Sequence, residues 1–407
     1  MKIVYLNPIG QLGGAERVLL DLLASLRAAE PSWTLKLIVA SEGPLAERAF
    51  ALGVPTTVLP FPPSIARLGD YGAGARPGLQ LRQLILLSRL LLATMATASY
   101  VGKLSRLLAE MAPDVLHTNG FKMHALGVWA RPRHVPVIWH IHDYVRPRPI
   151  MAKLLKMHAS KCAAVVTNSE NVRRDVRTAL GNPPITYSIH NALDLTRFSP
   201  VGPTLDLDAL AGLPRTSGGE VRVGLLGSLA RWKGHPVFLR AISMLPPNLP
   251  LRAYVIGDAI YQTAGSQYSV DELKSMARRL GISEKVGFTG LVEEPAAALR
   301  ALDIVVHAST QPEPFGLVVA EAMACGRAVI ASLAGGVAEI IDPPTNGLAY
   351  VPGDAAALAE SIERVVIDRD LRTQLGIAGR AAAVRHFDRA RLARDFVPIY
   401  REVVGSG

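Results

Sequence analysis

Short runs of apolar and β-branched residues alternate with segments of helical spacing from one end of the chain to the other. The runs are KIVYLN, LKLIVA, DVLHTN, PVIWHIH, AAVVTNS, ITYSIHN, VRVGLLG, RAYVIGD, KVGFTG, DIVVHAS, AVIAS and GLAYVP. Several of them are apolar at consecutive positions, as expected for strands that helices cover on both faces. Strands that alternate with helices form parallel sheets. The pattern therefore predicts an α/β protein made of doubly wound, Rossmann-like sheets.

Pro, Gly and Ser are concentrated between residues 192 and 220, where the alternation is interrupted and a linker is predicted. This break places a first domain over residues 1–195 and a second over 196–386. A chain of 407 residues also exceeds what one hydrophobic core usually supports. Residues 387–407 have helical spacing, and we expect a C-terminal helix there that can return to the first domain.

The composition is that of a folded protein, with 49% hydrophobic and 19% charged residues. Its two cysteines, Cys162 and Cys325, lie far apart and have no metal-ligand spacing, so we expect neither a disulfide nor a zinc site, and a reducing compartment. The first residues lack the long apolar stretch of a signal peptide, which predicts a cytoplasmic location. The longest charge-poor segment, residues 89–103, is too short for a transmembrane helix.

The excess of positive charge lies in the first half of the chain. Residues 1–200 hold 23 basic and 12 acidic side chains, and residues 61–161 alone hold 14 basic and 4 acidic ones. We expect an anionic membrane surface or a phosphate-bearing acceptor to bind residues 61–161. Nucleic acid is disfavoured because interleaved stacking aromatics and nucleic-acid-binding motifs are lacking. The alternative is a solvated basic face that only aids solubility.

A long helical pattern over residues 79–111 combines an apolar stripe with basic residues, and Glu110 is its only acid. Such a stripe is found on helices that cover a sheet and on helices that lie on a bilayer surface. Both interpretations stay open for this helix.

Two glycine turns follow predicted strands, and each is a candidate phosphate site. Gly13 and Gly14 precede a helix, where exposed amides and the helix dipole favour an anion, although their spacing is not that of a dinucleotide-binding loop. In the second half, Arg231 and Lys233 follow the turn at Gly227. Cations at the carboxyl end of a parallel strand suit a phosphate ligand, and an ordinary solvated loop is the alternative.

Glu313 and Glu321 lie near the start of one predicted helix, in the segment HASTQPEPFGLVVAEAMACG. Carboxylates there can accept hydrogen bonds from sugar hydroxyls, while the amides at the helix start can donate to phosphate. Compensation of the helix dipole is the alternative interpretation. It fits Glu321 poorly, because a carboxylate among apolar neighbours requires a partner.

Together these motifs resemble the retaining, nucleotide-sugar-dependent glycosyltransferases of family 4, which have the GT-B fold. The resemblance covers nearly the whole chain and rests on GGAER, WHIHD, IHNALDLTRFSP, GSLARWKGH, VGFTG, EPFGLVVAEAMACG and GGVAEII. It implies two Rossmann-like domains that face each other across a cleft, the N-terminal one for the acceptor and the C-terminal one for the donor. It also implies a nucleotide-diphosphate sugar as donor, no cofactor and no metal ion.

The resemblance assigns roles to individual side chains. Glu313 would contact hydroxyls of the donor sugar, Glu321 the ribose of the nucleotide, and Lys233 the diphosphate. His142, in the family's HD position, would face the donor sugar and the acceptor, with His140 as the competitor for that role. The catalytic candidates are therefore His142, Glu313 and Lys233.

Backbone amides complete the donor site that the resemblance implies. Those of Gly13 and Gly14 would aid the diphosphate in one domain, and those of Phe315, Gly316 and Leu317 in the other. On the acceptor side the candidates are His140 and Asn119, which ends the predicted strand DVLHTN. The acceptor would be lipid-linked or an anionic glycan, and the enzyme would work at the inner face of the membrane in bacterial cell-surface glycan or glycolipid synthesis.

One position departs from the family pattern. The family commonly has an arginine after the glycine that Gly227 matches, whereas this chain has Ser228. Arg231 is the candidate to replace that arginine, since its planar fork suits a diphosphate. Because of this departure, a catalytically silent partner subunit stays an alternative to an active enzyme. A nucleotide-sugar epimerase of the same fold is the enzymatic alternative, and a solute-binding protein would need the signal peptide that the N-terminus lacks.

Overall fold

A computed structural model describes residues 1–66, 81–181, 183–215, 218–259 and 265–405, with the backbone alone for residues 81–93. The chain forms two compact units. Unit 1 contains residues 1–190 and 389–407, and unit 2 contains residues 191–388. Each unit is built around its own parallel sheet.

The sheet of unit 1 has seven parallel strands in the order β3-β2-β1-β4-β5-β6-β7. They are β1 (Lys2–Asn7), β2 (Thr34–Val39), β3 (Thr56–Val58), β4 (Val115–Asn119), β5 (Val137–Ile141), β6 (Ala164–Thr167) and β7 (Thr186–Ser188). The six runs predicted in this half all form strands, whereas β3 was not predicted. The strand order reverses between β1 and β4, and α/β sheets bind ligands at the carboxyl ends of strands at such a point.

Helices cover both faces of the sheet of unit 1, as the apolar strands require. They are α1 (Gly14–Ala29), α2 (Pro44–Ala51), α3 (Pro63–Ala66), α4 (Leu81–Met111), α5 (Phe121–Ala130), α6 (Pro149–His158) and α7 (Glu170–Leu180). The predicted helix over residues 79–111 is α4. Residues 67–80 and the side chains of 81–93 lie outside the described part of the chain, and the first half of its apolar stripe falls there. The described half packs into the core through Tyr100, Leu104 and Leu108.

The sheet of unit 2 has six parallel strands in the order β10-β9-β8-β11-β12-β13. They are β8 (Val221–Leu226), β9 (Leu251–Ile256), β10 (Val286–Gly290), β11 (Ile304–His307), β12 (Ala328–Ser332) and β13 (Leu348–Tyr350). All six were predicted. The order reverses between β8 and β11, so the two loops that follow these strands lie at the expected ligand-binding edge.

The helices of unit 2 are α8 (Leu207–Ala211), α9 (His235–Met244), α10 (Val270–Arg279), α11 (Pro295–Arg300), α12 (Leu317–Ala324), α13 (Ala355–Ile367) and α14 (Arg369–His386). The interpretation of residues 192–220 as a linker is wrong for α8, which packs within unit 2. Its buried Asp208 accepts hydrogen bonds from Arg252 (2.8 Å) and Tyr254 (2.7 Å) and pairs with Arg222. Opposite charges offset the cost of burying this carboxylate, so a polar segment is fixed to the sheet.

The last helix, α15 (Ala390–Gly405), belongs to unit 1. It packs against α1, where the amide of Ala393 donates to Ser25 Oγ (2.9 Å) and Arg389 pairs with Asp21 (3.5 Å). Its apolar face buries Phe396 and Tyr400 in unit 1.

Candidate functional site

Glycines fix the loop between β8 and α9 in unit 2. Gly234 has φ +74°, and a Cβ there would lie 1.7 Å from the carbonyl oxygen of Ala308, which follows β11. Only glycine fits both the left-handed backbone and this close approach. Lys233 therefore lies directly beside the loop that follows β11.

Lys233 and Glu313 form a mostly buried ion pair between these two loops. Lys233 Nζ donates to Glu313 Oε1 at 2.6 Å, and the two side chains are 17% and 8% exposed. The same oxygen also accepts hydrogen bonds from His307 Nε2 (2.9 Å) and Ser309 Oγ. Burial by itself would raise the pKa of Glu313, but the Lys233 ammonium, His307 and their hydrogen bonds hold that pKa well below its usual range. The carboxyl is therefore an anion with a cation beside it.

A second layer of side chains, which the sequence did not predict, holds Glu313 in place. His307 ends β11 and Ser332 ends the neighbouring strand β12. Ser332 Oγ lies 3.1 Å from His307 Nδ1 and donates to the carbonyl oxygen of Ser309 (2.8 Å). The only signal in the sequence is that polar residues end two apolar strand runs. Their partnership with Glu313 depends on the strand order.

The segment from Glu313 to α12 is held by a second glycine contact. The amide of Gly336 donates to the carbonyl oxygen of Glu313 (2.7 Å), and a Cβ on Gly336 would lie 2.3 Å from the carbonyl oxygen of Pro314. Gly316 has φ +98° and precedes α12, which begins at Leu317. This arrangement places the amides of the first turn of α12 at the carboxyl edge of the sheet.

Glu321 lies in the second turn of α12 and is 5% exposed, and Phe315 is 2% exposed. The predicted donor residues Glu313, Phe315, Gly316, Leu317 and Glu321 thus belong to one loop-and-helix segment, and the Lys233 side chain joins them.

The Arg231 side chain is bound by residues at and before the start of α10. Its Nε donates to the carbonyl oxygen of Gly265 (2.9 Å), and its guanidinium pairs with Glu272 (3.4 Å) and lies 4.4 Å from the ring centroid of Tyr268. A capping box with Ser269 fixes Glu272 at the start of α10. For Arg231 to bind a diphosphate in place of an arginine at Ser228, its guanidinium would have to leave Glu272.

In unit 1, polar side chains with free hydrogen-bonding atoms collect at the carboxyl ends of four strands. Within the described residues, Asn7 Oδ1, Asn119 Nδ2, His142 Nδ1 and Asn168 Oδ1 are buried and have no hydrogen-bond partner. These residues end or follow β1, β4, β5 and β6, around the point where the strand order reverses. Unpartnered buried polar atoms are costly, so a ligand that hydrogen-bonds them would be favoured here.

His142 and His140, which sequence analysis named as competitors, lie side by side at the end of β5. Their ring centroids are 4.0 Å apart, and His142 Nε2 lies 3.3 Å from Asn119 Oδ1. Burial lowers the pKa of His142 to about 4, and burial together with the neighbouring histidines lowers the pKa of His140 well below its usual value. Both rings are therefore neutral at neutral pH.

The amide of Gly13, predicted to aid the diphosphate, donates to Glu16 Oε2 at 3.0 Å in a capping box at the start of α1. Glu16 also accepts a hydrogen bond from Asn7 (3.2 Å), and burial raises the pKa of its carboxyl. The first turn of α1, with Gly14, is therefore partly occupied by a side chain of its own helix.

Among the described residues, no helix combines the length and the apolar run needed to span a bilayer. The same part of the chain contains no cluster of three or more His, Cys, Asp or Glu side chains arranged to hold a metal ion.

The sequence matches two family models. Residues 12–197 match the model described as Glycosyltransferase Family 4, and residues 215–382 match the one described as Glycosyl transferases group 1. The chain belongs to the glycosyltransferases with the GT-B fold, and the predicted family is confirmed.

Similar proteins include the D-inositol 3-phosphate glycosyltransferase of Xylanimonas cellulosilytica, which is 28% identical over 309 residues, 71% of this chain and 72% of that protein. The lipopolysaccharide core biosynthesis mannosyltransferase LpcC of Rhizobium leguminosarum is 32% identical over 54% of this chain and 60% of that protein. The crystal structure of Anabaena Alr3699/HepE in complex with UDP-glucose matches with a TM-score of 0.78 and 25% identity, over 99% of this chain and 100% of that one.

Proposed function

We propose that this glycosyltransferase is a retaining enzyme that moves a sugar from a nucleotide-diphosphate sugar to an acceptor hydroxyl without a metal ion. The observation that carries the proposal is the Lys233–Glu313 pair beside the first turn of α12. Lys233 and the amides of that turn would bind the diphosphate, Glu313 the hydroxyls of the sugar and Glu321 the ribose. The complex of Alr3699/HepE with UDP-glucose supports a donor of this class.

Lys233 and the amides of the first turn of α12 would also promote the transfer of the sugar. Negative charge develops on the diphosphate as the glycosidic bond breaks, and a fixed cation with helix amides lowers the energy of that state. The acceptor hydroxyl would attack from the side of the departing diphosphate, so that the anomeric configuration is retained. No carboxylate is assigned as a covalent nucleophile, because Glu313 is held by three donors and its role is to bind the sugar.

A thermal-shift screen against UDP, GDP, ADP and dTDP sugars, without added metal, tests the donor site. One nucleotide family should raise the apparent stability by about 2.7 kcal/mol at 100 times its dissociation constant. Lys233→Ala and Glu321→Ala should abolish the shift. NMR analysis of the product would then give its anomeric configuration. If no nucleotide sugar shifts the thermal transition at millimolar concentration, the interpretation of the chain as a catalytically silent partner subunit replaces the proposed enzymatic function.

We propose further that the acceptor is lipid-linked or an anionic glycan, and that unit 1 binds an anionic membrane surface during bacterial cell-surface glycan synthesis. The helix α6 supports this proposal. Ile150 and Met157 are 86% and 59% exposed, and the exposed Lys153 and Lys156 lie between them on the same helix. Exposed apolar side chains flanked by cations are typical of helices that bind anionic bilayers.

Vesicle binding tests the role of α6. Replacing Ile150 and Met157 by serine should weaken binding to phosphatidylglycerol vesicles by about tenfold per side chain, since each removes an apolar group that enters the interface. Ile185→Ser is the matched control, because Ile185 is 59% exposed but precedes β7 instead of lying on α6. Co-sedimentation measures the binding. The proposal would be contradicted if the native chain, the Ile150 and Met157 variant and the Ile185 control all bound equally. It would also be contradicted if the native chain bound neutral vesicles as tightly as phosphatidylglycerol vesicles.

A further inference from the structure

Four buried side chains of unit 1 form a continuous chain of hydrogen bonds that ends at the candidate site. Tyr5 Oη lies 3.1 Å from Tyr400 Oη, Tyr400 Oη lies 2.8 Å from His117 Nδ1, and His117 Nε2 lies 3.3 Å from His140 Nδ1. Each residue is at most 2% exposed. Three of them come from neighbouring strands of the sheet, and Tyr400 comes from the C-terminal helix α15.

Each link of this chain holds one hydrogen atom. A tyrosine hydroxyl has one, and so does a neutral imidazole. Burial lowers the pKa of His117 to about 3 and that of His140 well below its usual value, so both rings are neutral. The hydrogen of His117 is then either on Nε2, in which case every hydrogen atom points from Tyr5 toward His140, or on Nδ1, in which case Tyr400 accepts from His117.

The environment of Tyr5 decides between the two directions. Tyr5 is fully buried, and in the described part of the chain Tyr400 is its only hydrogen-bond partner. If His117 donated to Tyr400, the two tyrosine hydroxyls would carry two hydrogen atoms but share one hydrogen bond, so one of these buried hydroxyls would find no acceptor. A buried donor without a partner costs about 1–3 kcal/mol, which corresponds to a population ratio of roughly 5 to 150. The favoured direction starts at Tyr5.

Following that direction fixes the tautomers of both histidines. Tyr5 donates to Tyr400, Tyr400 donates to His117 Nδ1, and His117 Nε2 donates to His140 Nδ1. The hydrogen of His140 must then be on Nε2. The described residues offer no hydrogen-bond partner to this nitrogen, but it is not one of their fully buried unpartnered atoms, so water can accept from it in the unliganded protein. His140 lies at the carboxyl end of β5, beside the unpartnered atoms of Asn119 and His142.

We infer that the Tyr5–Tyr400–His117 chain holds His140 as the Nε2–H tautomer, and that this N–H donates a hydrogen bond to an oxygen atom of the bound substrate. The second half of this inference rests on the proposed function. His140 is then a hydrogen-bond donor to a sugar hydroxyl or phosphate oxygen and does not accept the proton of the attacking hydroxyl. Tyr400 is a positioning residue that acts through His117.

Neutron diffraction from crystals of the deuterium-exchanged, unmodified chain tests the tautomer directly. Deuterium is expected on Nε2 of both His117 and His140. Deuterium on Nδ1 of His140, or on both of its nitrogens, would overturn the inference. Because this measurement needs no turnover, it stands or falls independently of the proposed transferase activity.

Histidine ¹⁵N NMR of the unliganded protein adds a test of the chain. Tyr5→Phe leaves Tyr400 with no acceptor except His117, so the Nε2–H tautomer of His140 should persist. Tyr400→Phe removes the link, and the His140 resonances should show both tautomers. If Tyr400→Phe fails to fold, a Tyr5→Phe protein in which His140 adopts the Nδ1–H form would still refute the assigned direction.

The substrate contact is tested by replacing His140 itself. Glutamine can donate a hydrogen bond but cannot act as a base near neutral pH, and methionine can do neither. With UDP-glucose, or the donor that the thermal-shift screen identifies, kcat of His140→Gln should stay within about tenfold of the native value, and kcat of His140→Met should fall by about 100-fold or more. Equal losses in both variants would overturn the role of His140 as a hydrogen-bond donor, and no loss in either would refute the contact.

Discussion

Replacing Lys233 by methionine is expected to lower kcat/KM for the nucleotide sugar by roughly 100-fold to 1,000-fold, because the variant loses the fixed cation that would face the diphosphate. It should also lower the free energy of unfolding by about 3 kcal/mol, since the buried Glu313 carboxylate loses its charged partner. Initial-rate kinetics and urea unfolding measure the two effects. Lys285→Met is the matched control, because Lys285 lies at the opposite, amino end of a strand in the same sheet.

The Glu313→Gln background separates the two roles of Lys233. No carboxylate is left unpaired there, so adding Lys233→Met should cost little further stability but should still lower turnover below that of Glu313→Gln alone. Equal turnover of Glu313→Gln with and without Lys233→Met would show that Lys233 only neutralises Glu313, and the diphosphate role would then be wrong.

Gly234→Ala is expected to disrupt the loop between β8 and α9 in unit 2. The alanine Cβ would lie 1.7 Å from the carbonyl oxygen of Ala308, and the backbone at φ +74° also disfavours a side chain. Left-handed strain and overpacking together should cost about 2–5 kcal/mol of stability. The loop after β8 must move to relieve the collision, so Lys233 would be displaced from Glu313 and the binding of nucleotide sugar should be lost.

Gly281→Ala isolates the contribution of the collision. Gly281 has φ +70°, but a Cβ there would meet nothing within 4 Å. Gly281→Ala therefore introduces the same kind of backbone strain as Gly234→Ala but no collision. Its expected cost in stability is only about 1–2 kcal/mol, and donor binding should be unchanged. Urea unfolding and calorimetric titration give the comparison. Similar losses in the two variants would show that the loops after β8 and β11 are not held by close packing.

Many of the strands could be predicted because several runs are apolar at consecutive positions, which leaves little ambiguity in an α/β pattern. The strand β3 (Thr56–Val58) was missed because its three residues are all partly exposed and too few to form a pattern. The strand β7 (Thr186–Ser188) is equally short and exposed, and it was found only as part of the longer run ITYSIHN. The helix α8 was missed for a related reason, since five residues show no period. It is fixed by the ionic contacts of Asp208, which involve residues 14 and 44 positions away.

The candidate site could be predicted only where one continuous motif carries it. Glu313 and Glu321 share a loop and a helix, and the motif around them was recognisable. Their support could not be predicted, because His307 and Ser332 meet only once β11 and β12 are known to be neighbours. The contact of Tyr400 with His117 could not be predicted either, since the two residues lie 283 positions apart in the chain.

The chain returns to unit 1 through α15, and this connection sets the order in which the two units can fold during synthesis. Residues 191–388 form unit 2 as an uninterrupted stretch, but unit 1 is completed only by residues 389–407. On a ribosome, unit 2 can therefore acquire its whole core while unit 1 still lacks Phe396 and Tyr400, although its sheet was synthesised first. Domains usually fold in the order of their synthesis. Here the unit that emerges first is the last that can finish, because its β1 and β4 side chains lack their packing partners until α15 has emerged.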